Sequence, residues 1–416
     1  MNPLRSLALI ATLLTTAHAE DYIERLRENL AFSAFDGNLR VRLSGVADLE
    51  AYSTPQPPPG LLFTDRHTLL SPRLSLFLDA QLCSHVYAFA QMRVDRGFDP
   101  ADEKADVRLD EYALRISPWE DGRFTVQIGR FATVVGNWVE RHLSWDNPFI
   151  TAPLPYENLT GIWDSSAPDS PETLLYWAHV EPSQLNGGYD DYSDKYLRNP
   201  IIWGPSYASG VSVSGRVGKF DYALEMKNSP LSSRPEAWDA TAVDFDHPAF
   251  NGRLGFRPNQ MWNVGFSFGY GPYMLPEAAP SLPPGRGIGD YHQTVFAQDI
   301  RFEWHRFQLW AEVYEARFEV PNVGHADTLA YYVEAKYKFT PQSYGALRWN
   351  QQFYNEIHEP GHGAAPWGDD VWRIDAALGY RFSAHTQLKL QFSLQNPRSA
   401  TEHIANLFAA QFTVKF

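Results

Sequence analysis

The chain closes on FAAQFTVKF, residues 408–416, with Phe408, Ala410, Phe412, Val414 and Phe416 at every second position. A period of two places these five apolar side chains on one face of a β-strand. Ala409, Gln411, Thr413 and Lys415 take the other face. Chain ends are usually frayed and polar. This one is patterned for burial of one face up to its last residue.

The same alternation runs back through the sequence. Leu39, Val41, Leu43, Ala47 and Leu49 alternate with Arg40, Arg42, Ser44, Asp48 and Glu50. Leu74, Leu76, Leu78, Ala80 and Leu82 oppose Arg73, Ser75, Asp79 and Gln81. Val86, Ala88, Ala90, Met92 and Val94 oppose Tyr87, Gln91, Arg93 and Asp95. Trp262, Val264, Phe266 and Phe268 then oppose Asn263, Gly265 and Ser267, and Leu388, Leu390 and Phe392 oppose Lys389 and Gln391.

The connections fall into two alternating sets. Tight ones sit at 83–84, 119–122, 217–219, 258–260, 305–306, 340–342 and 383–385. Long polar ones rich in Pro, Gly and Asp sit at 52–67, 96–106, 183–205, 229–248, 272–291, 319–327 and 355–370. Short turns at one end and long loops at the other belong to an antiparallel up-and-down β-barrel that crosses a membrane. The expected strands are about 9–13 residues, long enough to cross a bilayer at a tilt. Taking the weak segment Tyr156–Trp163 as a strand makes the count even at about eighteen, with about sixteen as the alternative. A periplasmic β-sandwich also alternates. Here, however, the polar face repeatedly carries Arg, Glu and Asp, while the apolar face carries Trp304, Tyr337, Phe339, Trp349, Trp372 and Tyr380, as suits the two interfaces of a bilayer.

The first residues agree with export. Arg5, the apolar Leu7–Leu14 and the small residues Ala17 and Ala19 around His18 form a cleavable signal over 1–19. Its apolar run is too short to span hydrocarbon as a helix. The domain reading is therefore 1–19 signal, 20–36 an N-terminal segment in the periplasm or the lumen, and 37–416 the barrel. One cysteine, Cys83, leaves no intrachain disulfide to hold an exported chain, whereas closed strand pairing suffices. The net charge of -14 and the absence of Lys/Arg runs argue against nucleic acid.

With Phe412, Val414 and Phe416 at its end, the chain resembles the bacterial outer-membrane porins. Asp110–Arg115 followed by Phe124–Phe131 is similar to the hairpin before the constriction loop of phosphate-selective and related porins. The resemblance implies an outer-membrane location in a Gram-negative bacterium after Sec export, with lipids and lipopolysaccharide around the wall. It also implies that the terminal Phe412, Val414 and Phe416 are read by the barrel-assembly machinery. The activity it implies is diffusion of small hydrophilic solutes or ions, without cofactor, metal or catalysis. Because many porins associate through flat apolar faces, a homotrimer is a further implication.

In such a barrel the polar faces line the lumen. Arg42, Arg73, Arg93, Arg301, Arg348, Arg373, Glu312 and Glu334 are the expected pore-lining charges. Arg73 and Arg93, equally far from the turn at Cys83, are expected to be cross-strand neighbours. The loop after Phe131, residues 132–155, differs from the other loops in its apolar content, with Trp138 and Trp145 among it. Exposed, it would be an aggregation hazard. It is expected inside the barrel, with Glu140, Arg141, His142 and Asp146 facing a narrowed pore and setting a transverse field. Two alternatives stay open: a substrate-specific or polysaccharide-export channel, and a plugged binding protein. Ser144 near His142 and Asp146 is too local for a triad, and His358 and His362 lie in a Gly/Pro-rich loop that lacks the rigidity of a metal site.

Overall fold

The structure is a computed structural model, and it describes residues 17–64, 66–95, 105–180, 195, 197–359, 361, 363–396 and 404–416. Most of the expected signal (1–16), several loop acids (Asp99, Asp102, Glu103, Asp190, Asp191, Asp194) and His362 lie outside the described residues. The wall is β1 (Leu39–Ser53), β2 (Thr68–Cys83), β3 (Val86–Asp95), β4 (Asp106–Ile116), β5 (Thr125–Phe131), β6 (Ala208–Val217), β7 (Phe220–Lys227) and β8 (Ala249–Phe256). It continues as β9 (Trp262–Pro272), β10 (His292–Trp304), β11 (Phe307–Val320), β12 (Gly324–Lys338), β13 (Ser343–Tyr354), β14 (Val371–Arg381), β15 (Thr386–Gln395) and β16 (Ala405–Lys415). Each strand pairs antiparallel with the next, and β16 returns to β1 with Phe412 opposite Leu49 and Thr413 opposite Asp48. Among the described residues this makes a closed barrel of sixteen strands, the smaller of the two expected numbers.

The excess came from the 132–207 region. Tyr156–Trp163 forms no strand; it is buried coil after a short 3-10 turn at Leu154–Tyr156. Trp177 lies on helix Pro171–His179, whose cap is the Ser170 hydroxyl accepting from Thr173 N–H. Pro155 lies in the 3-10 turn that leads into the first segment, and Pro171 opens the helix directly after its cap. The connection expected to be long at 319–327 is also corrected: β11 runs to Val320 and β12 starts at Gly324.

The alternation sorts as a membrane barrel requires. Leu74, Leu76 and Leu78 face outward, as do Phe266, Phe296, Leu347 and Leu378, and Leu347 remains 62% exposed. Inward positions hold buried charge: Asp48, Asp299, Glu312, Arg348 and Asp375. A soluble barrel would reverse this, because so wide an exposed apolar face is costly in water. The aromatics expected on the apolar face do point outward. Trp349 and Trp372 stack at 5.9 Å, while Trp304, Tyr337 and Tyr380 crowd the end that carries the short turns.

Both ends of the wall, Leu39 and Lys415, lie at that short-turn end, which is the periplasmic end of such barrels. The final aromatic sits there. Phe416 exchanges two backbone hydrogen bonds with Gly45, and its ring occupies the space where a Cβ on Gly45 would stand, 2.3 Å from the nearest ring carbon. The N-terminal segment is at the same rim. Helix Ala17–Asn29 precedes a short strand, Ala31–Ala34, that doubles back on β1, and the Glu24 carboxylate contacts His385 of a short turn at 2.9 Å.

Candidate functional site: the lumen and its insert

Residues 132–207 connect β5 to β6, and the described part of this connection, 132–180, 195 and 197–207, carries the segments that enter the barrel. At Gly136 the chain takes φ +76°, and a Cβ there would lie 2.2 Å from the Tyr314 hydroxyl and 2.5 Å from that of Tyr156. Only glycine both adopts that backbone and leaves the space. Val135, Trp138, Val139, Tyr156, Ile201 and Ile202 of the insert pack on Val295, Ala297, Trp310, Tyr314, Ala330 and Tyr332 of β10–β12. On β9, beside β10, the small inward residue Ser267 accepts from the Gly136 N–H at 3.2 Å. The apolar composition of the loop is thus explained by burial inside the wall.

Ion pairs fix the insert in place. Glu312 accepts from the Asn137 and Trp138 backbone N–H groups and from the Tyr156 hydroxyl at 2.7 Å. Arg141 donates to Glu334 at 2.6 Å and lies over the Trp310 ring. Arg348 reaches Asp375 at 2.8 Å and donates to the carbonyls of Thr151 and Ala152 at 3.1 Å. Arg373 joins Asp375 to Glu157 of the insert, and the Lys389 ammonium donates to the Ser144, Asn147 and Phe149 carbonyls. From the other side, Thr133 donates to Glu225, the Tyr207 hydroxyl meets His142 at 2.8 Å, and Lys227 donates to Phe131 carbonyl. Such desolvated charges are tolerable because each is met by an opposite charge or by several dipoles.

This geometry divides the expected pore-lining residues. All eight are on inward faces, but Arg93, Glu312, Glu334, Arg348 and Arg373 are covered by the insert and its partners, so they anchor rather than line open water. Arg42 and Arg301 are exposed toward the periplasmic end, and Arg73 keeps a quarter of its side chain accessible. Arg73 and Arg93 are diagonal rather than opposed, since Ser75 faces Arg93. Arg73 pairs with Asp48 and Glu50, and Arg93 with Asp110, which offsets their repulsion. The loop charges divide likewise. Arg141 and His142 are held by Glu334 and Tyr207, while Glu140 and Asp146 face a cavity. Ser144, His142 and Asp146 do not converge, because the His142 nitrogens meet Val139 carbonyl and Tyr207.

That cavity, about 360 Å³, lies between the lower turn of the insert and the wall at the periplasmic end. Arg253, Arg301, Lys336, Lys338 and Arg381 line it together with Glu140 and Asp146. Lys336 and Lys338 were missed as site residues, although their alternation with Tyr337 on β12 already placed them inward. At the opposite end the insert joins an extracellular cap, in which Ile162 and Leu174 pack with Tyr273, Met274, Phe318 and Trp367. Asp164 is buried in that cap, and burial pushes its carboxyl up to about 6.

A closed antiparallel barrel with periplasmic short turns and an insert folded into its lumen is the architecture of the outer-membrane porins. No family model and no curated protein matches the sequence. Solved outer-membrane proteins match the fold. OmpT of Vibrio cholerae, folded in vitro, is similar with a TM-score of 0.56 at 10% identity, covering 93% of this chain and 99% of that one. Salmonella typhi OmpF in complex with daunomycin gives 0.55 at 11% identity, with 92% and 100% covered. The anion-selective porin of Comamonas acidovorans gives 0.54 at 10% identity, with 91% and 100% covered.

Proposed function

We propose that the chain is an outer-membrane channel for small hydrophilic solutes or ions, narrowed by the insert that begins at 132–155. The observation that carries this reading is the barrel itself: apolar outside, charged inside, with a water-accessible basic chamber below an insert held by ion pairs. The porin neighbours support an outer-membrane setting and a transport rather than a catalytic role. In this reading lipids and lipopolysaccharide surround the wall, and the barrel-assembly machinery reads Phe412, Val414 and Phe416. The trimer form of the Vibrio cholerae protein supports a homotrimer here.

A second reading, a plugged binding protein, is favoured by one specific observation. At mid-height, charges on many strands of the wall, from Asp48 and Arg93 through Glu225 and Asp299 to Asp375, are all buried. Planar-bilayer recording of the refolded mature protein separates the two. Stable conductance steps support the channel, and folded, heat-modifiable protein without steps supports the plug.

A further inference from the structure

The periplasmic chamber has an unusual charge balance. Arg141 is neutralised by Glu334, Arg253 by Asp221 and Asp299, and Arg301 by Glu303. Lys336 and Lys338 form no ion pair among the described residues; the Lys336 ammonium lies over the Tyr344 ring at 4.2 Å. Arg381 forms no ion pair among the described residues either. Its guanidinium donates to Trp145 carbonyl at 3.3 Å and stacks over that indole at 4.9 Å. Three cations that form no ion pair among the described residues therefore line one side of the chamber, brought by β12 and by the end of β14.

The insert supplies Glu140 and Asp146 to the same space, and neither enters an ion pair among the described residues. Asn263, Gln308, Gln342 and Ser343 add neutral hydrogen-bonding groups. Were the acids there to neutralise the lysines, ion pairs would form across the chamber. The two sets instead remain apart, with a volume between them at the small end of ligand sites.

We propose that this chamber is a binding site for a small polyhydroxylated oxyanion, with its charged group on Lys336, Lys338 and Arg381. Its hydroxyls donate to Glu140 and Asp146 and exchange hydrogen bonds with the neutral lining. Lysine ammoniums act as point charges toward phosphate or carboxylate, and Arg381 presents a fixed fork. The two lysines are two residues apart on one face, roughly 7 Å along the strand, so both reach one anionic group. The role of the site in transport rests on the channel reading; its existence rests on the chamber.

The test is calorimetric titration of refolded full-length mature protein in detergent at low ionic strength, with glucose 6-phosphate, gluconate and glucose as probes. Saturable binding of either anion without binding of glucose is expected, and the preferred anion distinguishes a phosphate from a carboxylate site. In K336Q/K338Q, with heat-modifiability retained, affinity should fall at least tenfold. Glucose binding as well as the anions, an unchanged affinity in the double variant, or no binding of either anion overturns the proposal. Because titration needs no conductance, lost binding with intact steps removes only the site, and intact binding without steps removes only the channel.

Discussion

Arg348→Ala tests whether the insert is held by the buried ion network. The Arg348 side chain is fully buried, its Nε bonds Asp375 at 2.8 Å, and one Nη serves the Thr151 hydroxyl and the Thr151 and Ala152 carbonyls. Its other Nη lies 3.6 Å from Glu334, and its guanidinium covers the Phe149 ring at 4.3 Å. Removing one member of a buried pair costs about 3–5 kcal/mol, because the partner stays buried and uncompensated. Asp375 keeps Arg373 and Asn350, which argues for the lower half of that range. Backbone ladders of β13 and β14 do not use this side chain, so the loss falls on docking of the insert. About 3 kcal/mol is roughly a hundredfold in the undocked population. When opening is fast relative to cleavage, proteolysis tracks that population. Trypsin cleavage within 132–207, located by mass spectrometry, should therefore accelerate by about two orders of magnitude while the barrel stays heat-modifiable. A cleavage rate within about threefold of the parent protein would refute the latch.

Four further outcomes are expected. Gly136→Ala should release the insert by the same protease assay, since left-handed backbone costs about 1–2 kcal/mol for a Cβ residue and its methyl meets the Tyr314 hydroxyl. Phe416→Ala should slow barrel closure, read as the rate at which heat-modifiable protein appears in vesicles; Gly45→Val, which drives a side chain into the same ring, should act alike. Glu140→Ala removes an acid from the basic chamber, so the reversal potential under a salt gradient should move toward the anion limit; movement the other way would contradict the assignment of the chamber to the permeation path. Asp164→Asn bears on pH. The folded carboxyl titrates near 6, above its ordinary 3.8, so burying it destabilises the cap at neutral pH. The cap is most stable below the ordinary value, and stability worth about 3 kcal/mol is lost as pH rises through 6. Hydrogen exchange of the cap should be better protected at pH 4.5 than at pH 7.5 in the parent protein, and the difference should shrink in the Asn variant.

Much of the wall was legible because its rule is local. A period of two names the outward and inward face of each strand without knowledge of its neighbour, and FAAQFTVKF declared its lipid face from nine residues. The site was legible in part for the same reason. Trp138 and Trp145 in a loop already required burial, while alternation placed Glu312, Glu334, Arg348 and Arg373 inward. The error at Tyr156–Trp163 has a physical origin. A segment buried on all sides inside the barrel has no solvent-facing side, so an apolar alternation there carries no strand information, and Asn158 instead bonds Gln352 and Tyr354 of the wall.

The sequence by itself determined that strands alternate, that they close and which side chains meet lipid, because each follows from the two-residue repeat and from turn chemistry. Tertiary structure decided which inward charges are anchors and which meet water. Arg141 finds Glu334, and Arg373 finds Glu157, across separations of 193 and 216 residues. Glu140, one residue before Arg141, is left facing Lys336 and Lys338 across the chamber. The heights of residues on different strands follow from register and tilt summed around the barrel, and no local pattern records that sum.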